Sequence, residues 1–239
     1  VQLVEPGALA KVDQNLGERL ERRTVNNNEA ILKIDCAVSG LPHFTAMVGA
    51  EDLTGTILIA DSVRHVEEAH ALIALGQIPD ANPSLYLDIP TVLDPTMAPP
   101  GKHTLWIEFF APYRIAGLEG TGLMGTGWTD ELKEKVADRV IDKLTDYAPN
   151  LKSLIIGRRV ESPAELAQRL GSYNGNVYHL DMSLDQMMFL RPLPEIANYQ
   201  TPIKNLYLTG AGTHPGGSIS GMPGRNCARV FLKQQRRFW

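Results

Sequence analysis

The residues best suited to chemistry in this chain form one glycine-rich stretch near its end, between positions 205 and 232. Glycines recur there at Gly210, Gly212, Gly216 and Gly217, with Pro215 among them. Glycine accepts positive φ and lets a ligand come close to the backbone. A turn needs fewer glycines than this, so we interpret the stretch as a ligand-facing loop. The alternative is a tight crossover between a core strand and a terminal helix.

The flanks of this loop indicate which elements position it. An apolar run over residues 206–208 predicts a short buried strand, and the composition becomes helical from about Ser218. The first N–H groups of a helix have no partner within the helix. A strand, a glycine-rich turn and a helix start are therefore typical of an anion or cofactor site.

The segment LYLTGAGTHPGGSISGMPGRNCA resembles the C-terminal signature of the phytoene-desaturase-related FAD-dependent oxidoreductases, which include carotenoid desaturases and desaturase-like carotene ketolases. More diffuse similarity covers GNVYHLDMSLDQ, RPLPEIANYQTPIKN and ILKIDCAVSGLPHF, and so most of the chain. The resemblance implies hydride transfer to or from flavin N5 on an apolar small molecule, a carotenoid or isoprenoid. It does not separate desaturation from ketolation.

The resemblance also implies which residues line the flavin. They are Gly210, Ala211, Gly212, His214, Pro215, Gly216, Gly217, Ser218 and Ile219. Many flavoproteins have Gly-Asp where this chain has Gly210-Ala211, so backbone groups must take the place of the carboxylate. The resemblance identifies no catalytic acid or base.

The dinucleotide fingerprint G-x-G-x-x-G is absent, because Pro215 stands where the third glycine would follow Gly210 and Gly212. In the family that fingerprint belongs to the N-terminal half. The chain begins at Val1 within ordinary sequence. We therefore expect a C-terminal part, with a substrate domain over 1–190 and the closing segment of the FAD domain over 191–239. FAD should bind the complete protein and be absent from this chain alone.

A second group of polar residues precedes the signature: His179, Asp181, Asp185 and Arg191. Two interpretations of Arg191 remain open. It could act near the flavin, or it could form a structural pair with a carboxylate.

Two rival functions remain. A serine hydrolase would use Ser218 in a G-x-S-x-G elbow, but Ser220 stands where the second glycine is needed. His214 is also too close in sequence to be the usual triad histidine. The other rival is a non-catalytic module that reuses the fold for binding.

Composition excludes several classes. The chain has 239 residues, 44% of them hydrophobic, and a formal charge of −4, so no nucleic-acid partner is expected. Cys36 and Cys227 are far apart, and His65 and His70 are badly spaced for a shared ligand, so we predict no metal site. No apolar run could span a membrane. We expect a cytoplasmic location, with peripheral membrane association as an open alternative.

Periodicity completes the prediction of the fold. Helices are expected over 11–23 and after the caps Ser62, Thr129 and Ser162. Residues 113–128 should form a glycine-rich surface loop, or else a lid over an apolar substrate. Strands are expected at 31–38, 57–59, 85–89, 103–110 and 154–160. The order favours an α+β fold with a mixed, largely antiparallel sheet and flanking helices, whose apolar face lines or backs a substrate cavity. The resemblance implies that the last strand and helix belong to a FAD-binding Rossmann-like domain.

Overall fold

The structure is a computed structural model that describes residues 14–23, 28–46 and 49–235. The chain divides into two compact units. The sheet unit comprises Asn28–Leu170, and the loop unit comprises Val1–Asn27 together with Gly171–Trp239. The predicted functional boundary between residues 190 and 191 stays a prediction.

The sheet unit contains a five-stranded sheet in which every strand pairs with its neighbours in antiparallel fashion. The strand order is β2-β3-β4-β1-β5. The strands are β1 (Glu29–Val38), β2 (Ile57–Ile59), β3 (Leu85–Asp88), β4 (His103–Pro112) and β5 (Ile155–Glu161). The five strand positions, the antiparallel sheet and the α+β class are confirmed.

One face of this sheet packs into the hydrophobic core. Strands β1 and β4 alternate, so that Leu32, Ile34, Leu105 and Ile107 are almost wholly buried. Such alternation is expected of an antiparallel sheet that covers the core with one face. Any ligand contact of these strands must therefore come from the opposite face, where Trp106 and other side chains are half-buried.

Six helices accompany the sheet in the described part of the chain, besides short 3-10 turns. They are α1 (Gln14–Arg23), α2 (Val63–Ala74), α3 (Asp130–Leu144), α4 (Leu151–Leu154), α5 (Pro163–Leu170) and α6 (Met222–Gln235). Residues 11–13 of the first predicted helix lie outside the described residues. Helix α3 buries Val136, Val140 and Leu144 in the same cluster as the apolar sheet face.

The predicted helix caps are confirmed. The side-chain oxygen of Ser62 accepts the backbone N–H of His65 at 3.1 Å, and that of Thr129 accepts the N–H of Leu132 at 3.2 Å. Ser162 and Glu165 form a reciprocal capping box, because the Glu165 carboxylate accepts the Ser162 N–H at 2.8 Å. Each cap satisfies a donor that the first helical turn leaves open.

Residues 113–128 form a surface loop with internal hydrogen bonds. The N–H of Leu123 donates to the carbonyl oxygen of Trp128 at 2.8 Å, and the indole of Trp128 donates to the carbonyl of Pro112 at 2.9 Å. Trp128 is buried, whereas residues 116–122 are exposed. This arrangement fits the surface-loop prediction.

The strand predicted over residues 206–208 is wrong. Tyr207 makes one isolated antiparallel bridge with Gln200, supported by the N–H of Leu208 donating to the Tyr199 carbonyl at 2.8 Å. A strand needs a neighbour along several residues, and in the described part of the chain only this short turn lies alongside.

Helix α6 also begins later than predicted, at Met222 rather than near Ser218. Ser218 and Gly221 have positive φ values of 111° and 65°, which a right-handed helix cannot include. The Rossmann-like assignment of this region stays a prediction.

Candidate functional site

The glycine loop, residues 210–217, is a turn closed by its own backbone. The N–H and the hydroxyl of Thr213 both donate to the carbonyl oxygen of Gly210, at 3.0 and 2.9 Å. The N–H of Gly216 donates to the Thr213 carbonyl at 2.7 Å. Gly210 and Gly216 have φ values of 95° and 106°, so glycine is needed at both positions for the turn itself.

Several donors of this loop are left open. The N–H groups of Ala211, Gly212, Gly217 and Ser218 make no hydrogen bond to any residue that the structure describes. Backbone N–H groups in folded proteins are nearly always paired, with protein, water or ligand. The loop therefore offers a row of donors to a polar group outside it.

Gly217 differs from Gly216 in what its surroundings demand. A Cβ at Gly217 would meet only the Cβ of Ala211, at the ordinary contact distance of 3.7 Å. Its φ also lies outside the left-handed region. The folded chain could therefore hold a larger residue here, and the space beside Gly217 is open to a ligand.

Arg191 is a buried cation of the loop unit, with 1% of its surface exposed. Its guanidinium donates to five backbone carbonyl oxygens: Ala211 at 2.9 Å, Tyr178 at 2.9 Å, Asp181 at 3.0 Å, Gln186 at 3.2 Å and Leu180 at 3.3 Å. The prediction of a structural carboxylate partner for Arg191 is wrong, because the observed acceptors are backbone carbonyl oxygens. The side chain is structural, but carbonyl oxygens from two segments satisfy it, since five fixed donors exceed what one carboxylate accepts.

Burial governs the electrostatics around Arg191. Desolvation lowers the pKa of the guanidinium from its ordinary value, and the Asp181 carboxylate opposes that shift. Burial likewise lowers the pKa of His179, and the charge of Arg191 adds to it. A guanidinium keeps its proton in proteins, so a fixed positive charge lies beside the loop.

This charge is close to the glycine loop. A Cβ built on Gly216 would lie 3.9 Å from Nε of Arg191 and 3.5 Å from the sulfur of Met182. Two of the polar residues predicted to accompany Arg191 differ in their contacts. The backbone carbonyl of Asp181 accepts a hydrogen bond from Arg191, whereas the Asp185 carboxylate accepts one from Ser183.

Tyr199 is a site residue that sequence reasoning missed. Its hydroxyl donates to the carbonyl oxygen of His214 at 2.8 Å and accepts from the amide of Asn226 at 3.1 Å. It is 6% exposed and joins the glycine loop to helix α6. A lone tyrosine in a loop gives no sequence signal for such a role.

The remaining predicted site residues differ in accessibility. His214 is half-buried, and its Nδ1 is buried without a hydrogen-bond partner among the residues described. Pro215, Ser218 and Ile219 are exposed. Their positions are compatible with ligand contact, and their roles stay predictions.

A separate cavity of about 410 Å³ lies in the loop unit between α1 and residues 195–202. Its described lining includes Arg19 and Glu195, which form an ion pair, and the amides of Asn198 and Gln200. None of its described lining residues belongs to the predicted site.

The described residues give little support for a serine hydrolase, a metal site or a cysteine nucleophile. Ser218 makes no hydrogen bond to a histidine within the described ranges, and Ser220 accepts the N–H of Met222 instead. No three His, Cys, Asp or Glu side chains of the described residues are placed to hold a metal ion. Burial raises the pKa of the Cys36 thiol to about 11, so it is not a nucleophile at neutral pH. Among the helices described, none has the length and apolar character to cross a membrane.

Comparison with known proteins gives consistent relatives, although no protein-family model matches the chain. The chain is 35% identical over 216 residues to pyridine nucleotide-disulfide oxidoreductase domain-containing protein 2 of Rattus norvegicus, covering 87% of this chain and 36% of that protein. It is 35% identical over 221 residues to a lycopene-forming phytoene desaturase of Pseudescherichia vulneris, covering 88% and 38%.

A more distant similarity points the same way. The chain is 28% identical over 167 residues to a 4,4'-diaponeurosporene-forming 4,4'-diapophytoene desaturase of Staphylococcus aureus, covering 68% of this chain and 30% of that protein. The matches thus extend over most of this chain, which spans about a third of the length of these relatives.

Proposed function

The chain is related to the phytoene-desaturase-related oxidoreductases, and from this we propose that it is the C-terminal part of a FAD-dependent enzyme. Its reaction would be hydride transfer between the flavin and an apolar substrate of the carotenoid or isoprenoid class. The relatives support the redox class, and two of them are desaturases of phytoene or diapophytoene.

The observation that carries the cofactor assignment is the space at Gly217. The protein fold makes no demand for glycine there, since a Cβ would meet only Ala211 at 3.7 Å. Beside it, the N–H groups of Ala211, Gly212 and Gly217 have no partner among the described residues, which favours a ligand rich in acceptors. A flavin with its ribityl chain has such acceptors.

The chain's own residues would bind and orient the cofactor. FAD, when bound, supplies the redox chemistry by taking up or releasing hydride at its flavin ring. Backbone N–H groups of the glycine loop would donate to ring or ribityl oxygens, because Ala211 offers no carboxylate for the hydroxyls. Arg191 holds Ala211 in place by donating a hydrogen bond to the Ala211 carbonyl oxygen.

The place where the substrate binds is proposed from its chemistry alone. An apolar small molecule needs an apolar surface from which water is excluded. The sheet face opposite the core carries the half-buried Tyr86 and Trp106 and the buried Phe110, together with the charged Lys33, Asp35 and Glu108. Tyr86 and Phe110 are in edge-to-face contact at 5.4 Å. We propose a cytoplasmic protein that meets its substrate at a membrane surface, where such molecules dissolve, and that needs no nucleic acid.

Anaerobic reduction by substrate tests this function. The complete protein containing this chain should purify with FAD, and phytoene added without oxygen should bleach the flavin absorbance. A complete protein that carries flavin but is not reduced by any apolar polyene would remove the substrate class. A protein without flavin would overturn the enzyme assignment and favour the non-catalytic module.

A further inference from the structure

We propose that the apolar turn, residues 182–189, holds the apolar polyene substrate beside the glycine loop, an inference that rests on the function proposed above. Five apolar side chains of this turn are exposed: Met182 by 46%, Leu184 by 86%, Met187 by 40%, Met188 by 64% and Phe189 by 71%. Single apolar side chains are common on protein surfaces, whereas a group of them is typical of an interaction site.

The backbone of the apolar turn is closed by its own hydrogen bonds. The N–H of Gln186 donates to the Ser183 carbonyl at 2.8 Å. The N–H of Leu190 donates to the Met187 carbonyl at 3.0 Å. Met188 has a φ of 53°, in the left-handed region that a bulky residue rarely adopts. Such conformations cluster at ligand-binding sites, so the exposed apolar groups of this turn are consistent with a binding role.

Both ends of the apolar turn adjoin the glycine loop. At its start, the Sδ and Cε atoms of Met182 lie 3.5 Å from a Cβ built on Gly216. Just beyond its end, Arg191 donates through Nε to the Ala211 carbonyl at 2.9 Å. The turn is therefore anchored at both ends to the loop that would hold the flavin.

The middle of the apolar turn is anchored to the same guanidinium. The carbonyl of Gln186 accepts from Nη1 of Arg191 at 3.2 Å. Leu184 and Met188 are each two residues from Gln186, so their Cα atoms lie within about 7 Å of its Cα. Their side chains are exposed, so a long ligand that touches the glycine loop can also reach them.

The composition of the apolar turn favours an extended apolar molecule. Three of its five exposed apolar side chains are methionines, which are flexible and polarisable and adapt to irregular apolar shapes. Hydride passes only between groups in contact, so the substrate must lie beside the flavin. If the glycine loop holds the flavin, the adjoining apolar surface is the natural contact for the polyene.

A membrane surface is one competing occupant, and the charges of this region disfavour it. Between residues 171 and 203 the only Lys or Arg is Arg191, which is buried, whereas Asp185 and Glu195 are exposed. Segments that dock on membranes usually combine apolar groups with basic residues that attract anionic lipids. The other competing occupant is a further part of the complete protein.

The test is Leu184→Gln in the complete protein, with phytoene delivered in detergent micelles without oxygen. Leu184 has the largest exposed fraction of the five, so the variant should keep the wild-type FAD content and melting temperature. The phytoene concentration for half-maximal rate of flavin reduction should rise about tenfold, because an apolar contact with the substrate is lost. The limiting rate should stay within about twofold of wild type, because the contact is made equally before and during hydride transfer.

Two further variants serve as controls. Leu184→Met keeps an apolar side chain of similar volume and should restore the wild-type phytoene dependence. Leu93→Gln makes the same polar change at a leucine of the sheet unit that is 69% exposed, and it should leave the phytoene dependence unchanged.

Three results would overturn the inference. The first is an unchanged phytoene dependence in Leu184→Gln. The second is loss of FAD or a lower melting temperature in that variant, which would show that the apolar turn packs against another part of the complete protein. The third is weaker sedimentation of the variant than of wild type with phosphatidylcholine vesicles that lack phytoene, which would assign the turn to a membrane surface.

The same measurements separate this inference from the function on which it rests. Equal reduction of the wild-type and Leu184→Gln flavins by phytoene would reject the role of the apolar turn and keep the flavoenzyme. A wild-type protein that carries FAD but is reduced by no apolar polyene would reject the proposed function itself.

Discussion

Arg191 and Ala211 are joined by a hydrogen bond of 2.9 Å from the guanidinium Nε to the backbone carbonyl. The remaining donors of Arg191 bind carbonyls between Tyr178 and Gln186. One buried side chain thus sets the position of the glycine loop relative to the segment that precedes it. The loop owes its shape to this contact as well as to its glycines.

Arg191→Met should be strongly destabilising. The change removes the donor from five carbonyl oxygens, in three buried and two partly buried hydrogen bonds, and each unsatisfied buried group is unfavourable. We expect a loss of about 3–5 kcal/mol in the free energy of unfolding, as for other broken buried polar networks. Chemical denaturation of the 239-residue chain measures it.

Arg64→Met is the control for that measurement. Arg64 is exposed on α2, and its ion-pair partner among the described residues is Glu68 one turn away, at 2.8 Å. Exposed pairs of this kind contribute less than about 1 kcal/mol. Equal losses in the two variants would contradict the structural role of Arg191.

Adjacent glycines of the loop should respond differently to alanine. Gly216→Ala places a side chain at φ 106°, beside Met182, and should destabilise the chain by about 1–3 kcal/mol. Gly217→Ala has ordinary backbone angles and open space, so its stability should stay within about 0.5 kcal/mol of wild type. Thermal unfolding of both variants measures this difference in stability. A Gly217→Ala chain as unstable as Gly216→Ala would show that the fold itself needs both glycines.

Much of the sheet unit could be predicted from the sequence because its signals are local. The alternation in β4 and the caps at Ser62, Thr129 and Ser162 each lie within a few residues, and the structure confirms them. The apolar run at 206–208 has the same local signal as a strand. It fails because pairing needs a neighbouring strand, which a sequence window does not contain.

The polar contacts of the site depend on distant residues and could not be predicted. The sequence indicates Arg191 as a candidate site residue. Its partners, however, are backbone carbonyls up to 20 positions away. Carbonyl groups occur at every residue, so no side-chain pattern indicates them. Tyr199 gives no sequence signal, because its role comes from burial and not from spacing.

Glu108 should make stability depend on pH. It is half-buried in β4, and its cross-strand neighbour Lys33 on β1 instead binds Asp35 at 2.8 Å. Burial raises the pKa of the Glu108 carboxyl, with Asp88 and Asp35 adding to the shift and Lys33 opposing it. The folded state therefore holds this proton more tightly than the unfolded state, so Glu108 disfavours folding once the pH rises above its unfolded pKa of about 4.3.

Glu108→Gln should consequently stabilise the chain near pH 7, and the gain should shrink towards roughly pH 3.5 as the wild-type carboxyl becomes protonated. Unfolding curves at several pH values measure the difference. The same change at the exposed Glu67 serves as control. A gain that is constant over this range, or larger in acid, would reject the assigned shift.

The 239-residue chain alone should bind FAD poorly. The proposed missing half would supply the pyrophosphate-binding helix start and the ribose carboxylate. Losing about 4 kcal/mol of binding free energy weakens affinity roughly a thousandfold. Calorimetric titration of the chain with FAD should show no micromolar binding, and tight binding would mean that the chain is a complete cofactor domain.

The flavin content of Gly217→Val in the complete protein tests the central claim most directly. Valine fills the open space beside the loop, whereas Gly55→Val adds the same side chain at an exposed glycine with nothing within 4 Å. Both variants should remain folded by circular dichroism. We predict that the Gly55 variant keeps wild-type FAD and the Gly217 variant loses it. A folded Gly217→Val protein with full flavin content would contradict the placement of the cofactor at this loop.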